Sequence, residues 1–193
     1  MRLMMVHVND EYLLAVTRRL QAFGIEPVSV IGSFSRPEDF PDSEVLNAET
    51  LMDEQFYQKA NEQNPETISE ELSAEFQECE DIFLANSDRF AFFNINVRKR
   101  KDIYYQILLF WLYYFKTHKI DFMYLISTPH MGWDIVLYYV AKKFGIRMMY
   151  AERTLIADRI LLVEDMANSE KVPQDFCAGK TKEQIISQID QDL

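Results

Sequence analysis

Short apolar runs alternate along this chain with segments whose apolar positions recur every three or four residues. Five runs have the length and composition of buried strands, at residues 3–8, 28–31, 122–126, 146–150 and 160–163. Between the first two runs, a helical pattern begins after Asn9 or Asp10 and ends at Gly24. A strand, a helix and a strand in quick succession form a βαβ unit, so the two strands should be parallel.

The second such unit is the cleanest in the chain. Its strand at 122–126 is followed by a helix at 133–144, by Gly145 as a stop signal and by the strand at 146–150. This alternation predicts a doubly wound, Rossmann-like α/β domain of three layers with a mainly parallel sheet. Because parallel strands run the same way, their carboxyl ends should lie along one edge of the sheet.

The remaining periodic segments predict three more helices. Thr67 to Glu70 forms a capping box for one helix. Its apolar face consists of Ile68, Leu72, Phe76, Cys79 and Phe83. Residues 102–118 are apolar nearly all round, as in a helix that is packed on several sides or partly inserted in something apolar. A second capping box begins at Thr181 and predicts a C-terminal helix at 181–193.

The segment from about residue 33 to residue 100 lacks this regular alternation. Up to Pro65 no period is sustained, which predicts a loop with a short helix at 48–60. Residues 36–88 contain 16 acidic residues against two basic ones, whereas residues 89–119 contain seven basic residues against one acidic. We therefore predict an acidic, mostly helical insert at about 33–100.

Composition and charge exclude several classes of protein. Hydrophobic residues make up 48% and aromatic residues 13%, so residues 1–193 suffice for one globular domain. Cys79 and Cys177 are too few for a disulfide framework and form no metal motif, which favours reduced thiols in a cytoplasmic protein. The formal net charge of −11 disfavours nucleic acid as a partner. The apolar stretch 103–115 is shorter than the about 20 residues that a membrane-spanning helix needs.

Three common phosphate-binding and catalytic motifs are missing. Residues 178–181 end like a P-loop, but Gln174 stands where the earlier glycine should be and no strand precedes it. No G-x-G-x-x-G or G-x-S-x-G pattern occurs. A common dehydrogenase, kinase or hydrolase is therefore disfavoured, and no metal site is expected.

The predicted sheet itself selects candidate functional residues. In open parallel sheets, ligands bind in the crevice beyond the carboxyl ends of the strands. The polar residues that follow the predicted strands are Asn9, Asp10, Ser33, Ser127, Thr128, His130, Glu152, Arg153 and Thr154. We expect a binding or catalytic site to be built from this set.

The turn from Ser127 to His130 carries the sharpest chemical signal. Pro129 restrains a tight turn between a strand and the next helix, so His130 should face the crevice. Its imidazole can take a proton from a hydroxyl near neutral pH as a general base. Alternatively, it only donates a hydrogen bond that holds the loop. His7, inside the first predicted strand, and His118, at a helix C-terminus, are expected to be structural.

Glu152 and Arg153 form the second candidate pair. A carboxylate can orient sugar hydroxyls or an imidazole, and a guanidinium can grip a phosphate or carboxylate through two hydrogen bonds. Alternatively, the two residues pair with each other or with surface charges. Asp134 is expected to act as a helix N-cap first and as a site residue second.

Four consecutive cations precede the apolar helix: Arg98, Lys99, Arg100 and Lys101. Positive charge at a helix N-terminus opposes the macrodipole, so helix stability does not explain the run. Beside an exposed aromatic face it would suit a membrane surface, anionic lipid or a polyanionic substrate. Alternatively, the helix is buried and has a solvated basic entry. The tyrosine hydroxyls on this helix would need partners if they are buried: Tyr104, Tyr105, Tyr113 and Tyr114.

A familiar pattern begins with the strand and turn at residues 121–130, which read DFMYLISTPH. It continues through Asp134, Leu137-Tyr138, Ala141-Lys142-Lys143 and Gly145-Ile146, and the segment 154–159 extends it beyond the next strand. This pattern resembles the amino-terminal half of bacterial surface-polysaccharide (capsule or exopolysaccharide) glycosyltransferases with the two-domain GT-B fold. The resemblance covers about 121–165 well, the opening strand and helix loosely, and 33–101 not at all.

The resemblance implies an acceptor-side domain whose crevice edge contributes a catalytic base, with His130 at the matching position. From the polar residues at the carboxyl edge we predict Glu152 as a second catalytic residue and, as substrate-binding residues, Asn9, Asp10, Ser127, Thr128, Asp134 and Arg153. The acceptor would be a sugar or a lipid-linked glycan, and the protein would be cytoplasmic with peripheral contact at the inner face of the membrane. No cofactor is expected in this domain, because the nucleotide-sugar donor binds mainly to the second half of a GT-B enzyme.

The 193 residues do not contain such a second half. Two alternatives follow for an enzyme of this kind: the chain is a fragment, or it is a stand-alone relative without complete transferase activity. The rival hypothesis is a non-catalytic, Rossmann-like binding or assembly module that keeps the crevice but has no chemistry.

Overall fold

The computed structural model describes residues 1–9, 11–33, 37–87, 95–153, 160–164 and 181, and the fold is stated for these residues. Within them the sheet has six strands: β1 (Arg2–Val6), β2 (Glu26–Gly32), β3 (Glu44–Asn47), β4 (Phe122–Leu125), β5 (Arg147–Arg153) and β6 (Ile160–Val163). They lie in the order β3-β2-β1-β4-β5-β6. All neighbouring pairs are parallel except β5 and β6, which are antiparallel. The predicted α/β, Rossmann-like fold with a mainly parallel sheet is confirmed.

Six helices are described: α1 (Glu11–Gln21), α2 (Glu54–Ala60), α3 (Glu70–Glu75), α4 (Gln77–Ser87), α5 (Val97–Thr117) and α6 (Trp133–Lys143). Short 3-10 turns occupy Pro37–Asp39 and Thr50–Met52. Helices α5 and α6 contact each other, and α2 and α4 pack on α5. The helical layers are therefore unequal, with α2 to α6 forming the larger assembly.

Alternate side chains of β1 enter two different cores, because successive residues of a strand point to opposite faces of the sheet. Met4 and Val6 lie in the larger core with the residues of α5 and α6. Leu3 and Met5 lie in a smaller core, against which Leu20 of α1 packs. The centre of the sheet at β1 is thus buried on both faces, which explains why β1 is a continuous apolar run.

The apolar helix α5 lies inside the larger core. Trp111 and Leu108 are fully buried, and the hydroxyls of the buried Tyr104 and Tyr114 find partners within the protein, whereas Tyr113 is exposed. Tyr104 donates to the Phe76 carbonyl (3.1 Å), and Tyr114 donates to Ser29 Oγ (2.8 Å). The buried alternative for this helix is therefore correct. Across the described ranges, no helix combines the length and the hydropathy needed to cross a membrane.

Part of the segment predicted as an acidic insert belongs to the sheet itself. β3 pairs with β2, with Val45 opposite Val30 and Leu46 opposite Ile31. The expected loop up to Pro65 is therefore wrong at residues 44–47. Four ion pairs join the acidic helices and turns to α5 and α6: Glu54–Lys99, Glu80–Lys101, Glu66–Lys116 and Glu75–Lys143. Three of these pairs join the acidic segment 36–88 to the basic segment 89–119, so opposite charges of the two segments lie next to each other in the fold.

Several element boundaries differ from the sequence prediction. The first strand ends at Val6 rather than Val8, and the helix predicted from the capping box is broken at Phe76 into α3 and α4. Its N-cap is Ser69, whose side chain accepts from Leu72 N, and not Thr67. The C-terminal helix predicted at 181–193 lies outside the described residues apart from Thr181, as do Cys177 and residues 88–94.

Candidate functional site

The strand order reverses direction between β1 and β4. β2 and β3 extend the sheet on one side of this pair, and β5 and β6 extend it on the other. Val6 is paired with Leu125, so the carboxyl ends of both strands are level. The loops after the two central strands diverge at such a point, and open α/β sheets bind their ligands in the crevice that results. We call this place, formed by residues 7–9 and 126–131, the switch point.

His7 is the first residue beyond β1, and its backbone is strained. Its φ is +66°, in the left-handed region that side chains with a Cβ rarely adopt. The imidazole is only 5% exposed, and its Nε2 lies 3.0 Å from Asp134 Oδ2. The prediction that His7 lies inside the strand was wrong, because the chain leaves the sheet one residue earlier. Left-handed residues held by their surroundings are concentrated at functional sites.

Asp134 lies in the first turn of α6 and is fully buried. Its carboxylate accepts from the backbone N–H of His130 (2.9 Å) and of Met131 (2.7 Å), and from His7 Nε2. The N-cap of α6 is Gly132, with φ +88°, so the expected N-cap role of Asp134 was wrong. Asp134 instead fastens the turn that precedes the helix to the end of β1.

His130 is exposed at the end of this turn. Its Nδ1 lies 2.7 Å from the carbonyl oxygen of Thr128. A carbonyl only accepts, so Nδ1 carries a hydrogen, and in the neutral ring the lone pair is therefore on Nε2. The ring is roughly parallel to that of His7, at a centroid distance of 5.9 Å. The position expected for a general base therefore holds an imidazole in the tautomer whose basic nitrogen is Nε2.

The loop after β1 is fastened to the end of β2. Val8 N donates to the Ile31 carbonyl (2.9 Å), and Asn9 Oδ1 accepts from Ser33 N (3.0 Å). Gly32 permits this approach, because a Cβ on it would lie 2.0 Å from the Val8 carbonyl oxygen. Asn9, predicted to bind substrate, thus has one side-chain oxygen engaged by the neighbouring loop. Asp10 lies outside the described residues.

The turn after β4 contains the remaining predicted residues. Ile126 N donates to the Val6 carbonyl (3.1 Å) and continues the β1–β4 pairing. Ser127 is half-buried, Thr128 is exposed and Pro129 is buried. The turn therefore presents Thr128 and His130 to solvent while Pro129 anchors it.

Glu152 and Arg153 lie within β5 and not after it. Tyr150, opposite Leu125, is the last residue of β5 that pairs with β4. Residues 150–153 pair instead with β6, where Glu152 is opposite Leu161 and Arg153 is opposite Ile160. Both backbones extend past the end of β4 at the carboxyl edge. Their side chains are not described, so their shared cleft with His130 stays a prediction, and Thr154 lies outside the described residues.

The four cations before α5 do not form one free patch. Lys99 pairs with Glu54, and Lys101 pairs with the buried carboxylate of Glu80. Arg100 donates from Nε to the Ile95 carbonyl (2.9 Å) and from Nη1 to Ser87 Oγ (3.3 Å). Three of the four predicted residues thus make contacts within the protein, and Arg98 is exposed.

The ion pair between Glu80 and Lys101 is shared with Tyr105, which donates to Glu80 Oε2 at 2.6 Å. Burial by itself would raise the pKa of Glu80, but the hydrogen bonds from Lys101 and Tyr105 and the charge of Lys101 lower that pKa below its ordinary value. The hydrogen bond to Glu80 raises the pKa of Lys101. The network fastens α4 to the start of α5.

Two features of the structure were not anticipated from the sequence. Trp133 lies beside His7 at a ring distance of 5.2 Å, and its buried Nε1 has no hydrogen-bond partner within the described part of the chain. A cavity of about 270 Å³ lies at the opposite edge of the sheet, by the amino ends of β4 and β5. It is lined by Phe122, Tyr138, Lys142, Ile146, Arg147, Met148 and Glu164. Neither feature carries a motif that sequence inspection could recognise.

No family model, curated protein or solved structure was found to match this chain. Functional assignment therefore depends on the chemistry of the switch point and on the sequence resemblance described above.

Proposed function

We propose that this chain is an acceptor-binding, glycosyltransferase-like domain for a bacterial surface polysaccharide, with His130 as the general base. One observation carries the proposal: at the switch point the exposed imidazole of His130 is held through Nδ1 by the Thr128 carbonyl, which places the lone pair of the neutral ring on Nε2. The place is where open α/β sheets bind ligands, and the turn belongs to the segment that resembles the GT-B glycosyltransferases.

The tautomer of His130 suits the first proton transfer of glycosyl transfer. An acceptor hydroxyl must lose its proton as its oxygen attacks the anomeric carbon of the donor sugar, while the bond to the nucleoside diphosphate breaks. Nε2 of His130 takes that proton and the ring becomes an imidazolium. Nδ1 remains bonded to the Thr128 carbonyl, and this hydrogen bond strengthens when the ring is charged. The donor would bind to a second domain.

The proposed acceptor is a sugar or a lipid-linked glycan at the cytoplasmic face of the inner membrane. Peripheral membrane contact through the basic run would involve Arg98 first, since Lys99 and Lys101 are held by Glu54 and Glu80. Liposomes containing anionic lipid should co-sediment the protein less with added salt and less for the Arg98→Glu variant. Equal pelleting of the variant would remove membrane contact from the proposal.

The rival function is a non-catalytic binding or assembly module. This function is favoured because polar groups at the switch point already form hydrogen bonds with one another. Both carboxylate oxygens of Asp134 accept from donors within the protein, and Asn9 Oδ1 accepts from Ser33 N. Such a site is rigid and offers few groups for chemistry. Rigid loops at a switch point serve ligand binding equally well.

The discriminating experiment uses the complete native reading frame that contains this chain. The native protein or a variant is incubated with membrane extracts that contain lipid-linked acceptors and with a panel of radiolabelled nucleotide sugars, and the transfer of label to the acceptor is measured. His130→Ala should lower transfer by about 10²-fold or more. The matched control is His118→Ala, because His118 bonds to Glu44 at the start of β3, away from the switch point. Unchanged transfer by His130→Ala would reject the base. Thermal stabilisation by acceptors without any transfer by the native protein would favour the binding module.

A further inference from the structure

Two histidines, one buried and one exposed, share a single carboxylate at the switch point. Asp134 Oδ2 accepts from His7 Nε2 at 3.0 Å and from the backbone N–H of His130 at 2.9 Å. A carboxylate only accepts, so Nε2 of His7 carries its hydrogen. His7 therefore acts as a fixed donor in this position, 127 residues away from its partner in the sequence.

The backbone of His7 indicates that this donor is held in place against a local preference. A φ of +66° brings the Cβ of most residues too close to the following carbonyl oxygen, whereas glycine adopts it without this cost. His7 is nevertheless 5% exposed, with its ring against Trp133 and above the ring of His130. The packing and the hydrogen bond to Asp134 together offset the backbone strain.

Asp134 passes this constraint to the turn after β4. Its two oxygens accept from the N–H groups of His130 and Met131, which fixes the backbone that leads into α6. The same turn presents the Thr128 carbonyl to His130 Nδ1 at 2.7 Å. A release of the turn would separate these two groups, and His130 would then adopt the Nε2–H form that neutral histidine favours in water. In that form the exposed nitrogen has no lone pair for a proton.

We infer that His7 is a positioning residue which, through Asp134, sets the tautomer of His130 and so keeps Nε2 basic. The inference deepens the proposed function, since it concerns the residue proposed as the base. It requires no substrate contact by His7 or Asp134, both of which are buried.

The test is the protonation pattern of His130 in the whole chain, without any substrate. Long-range ¹H–¹⁵N correlation spectra of the ¹⁵N-histidine-labelled protein distinguish the two neutral tautomers. Three variants are compared: His7→Gln, which keeps a donor where Nε2 of His7 lies; His7→Leu, which keeps the bulk without a donor; and His7→Gly, which removes the ring and the backbone strain.

The native protein and His7→Gln should show the Nδ1–H form of His130, whereas His7→Leu and His7→Gly should shift His130 towards the Nε2–H form. His118, bonded to Glu44, is the internal control and should not change. His7→Gly can adopt the native backbone without strain, so it serves if His7→Leu does not fold. Retention of the Nδ1–H form in the folded variants without a donor would overturn the inference. The inference would also be overturned if His7→Gln lost the Nδ1–H form of His130 to the same extent as His7→Gly.

This result is separable from the proposed function. A tautomer shift together with no transfer by the complete native protein would support the positioning role and reject the transferase. If transfer depends on His130 but not on His7, and the His7 variants leave the tautomer of His130 unchanged, the transferase would be supported and the positioning role of His7 rejected.

Discussion

Nε2 of His7 and Oδ2 of Asp134 lie 3.0 Å apart, although 127 residues separate them in the sequence. The bond joins the end of β1 to the first turn of α6. The Asp134 carboxylate also accepts from the backbone N–H groups of His130 and Met131, so the two loops at the switch point form one unit. His7, which was expected from the sequence to be structural, thus lies beside His130, which was expected to be catalytic. The following predictions test this unit and the scaffold around it.

Asp134→Asn should lower the free energy of unfolding. The amide retains one oxygen but turns an NH₂ group towards buried donors, and a buried group left unsatisfied costs about 1–3 kcal/mol. Asp102→Asn on the exposed side of α5 is the matched control and should change stability by less than about 0.5 kcal/mol. Urea denaturation followed by circular dichroism measures both. Equal stability of the two variants would contradict the bracing role of Asp134.

Gly32→Ala should be far more harmful than Gly24→Ala. At Gly32 a new Cβ would lie 2.0 Å from the Val8 carbonyl oxygen, and this atom belongs to the backbone. We expect a loss of more than about 3 kcal/mol, beyond the usual range for overpacking. Gly24 has φ +73° with open space around it, so alanine there costs only the left-handed backbone, about 1–2 kcal/mol. If the two variants have equal denaturant midpoints, the loops after β1 and β2 do not approach each other as closely as Val8 and Gly32 do here.

Glu80→Gln should reduce stability at neutral pH and lose this effect in acid. The pKa of Glu80 is lowered on folding by Lys101 and Tyr105, although burial opposes this, so the ionised carboxylate contributes stability above its ordinary pKa. That contribution disappears as the pH falls through the lowered pKa. The free energy of unfolding, measured by urea denaturation, should therefore be about 1 kcal/mol higher for the native protein than for the variant at pH 7. This difference should become smaller below about pH 4.

The control for Glu80 is Glu71→Gln, an exposed position on α3. It should follow the native protein at both pH values. A difference between the native protein and Glu80→Gln that stays constant from pH 7 to pH 3 would show that the charge of Glu80 does not stabilise the fold.

Cys79 should resist thiol reagents in the folded protein. Its side chain is fully buried, and burial raises the pKa of the thiol to about 12, so little thiolate exists near neutral pH. A Cys177→Ser variant isolates this thiol. Ellman's reagent at pH 8 should react slowly with the native variant and at once after denaturation. Rapid labelling of the native form would mean that the core around α4 opens readily.

The fold was largely predictable because each strand that flanks a βαβ unit is a continuous apolar run. β3 was missed because it has only four residues, of which Val45 and Leu46 alone are apolar, and neighbouring β2 rather than local periodicity makes them a strand. The two-helix break at Phe76 was missed for a similar reason: the apolar spacing continues across it. Boundaries set by tertiary contacts leave little trace in a short segment.

The candidate site was predictable in one half. His130 follows from the rule that loops beyond parallel strands form the crevice, and Pro129 marks the turn. His7 was assigned to the strand because it stands inside the run at 3–8, although histidine is among the non-glycine residues that are enriched in the left-handed region. Asp134 was assigned as an N-cap because acidic residues before apolar runs usually are. Gly132, two residues earlier, was the available sign that the helix is capped differently.

The position of β1 in the middle of the sheet has a consequence for biosynthesis. β1 can join β2 as soon as residue 32 is made, but its other edge waits for β4 at residue 122. At roughly 5–20 residues per second, translation leaves that apolar edge without its neighbour for about 5–20 seconds, which makes it a target for chaperones or for a second nascent chain. The His7–Asp134 bond comes later still, so the switch point is among the last parts of the sheet to mature.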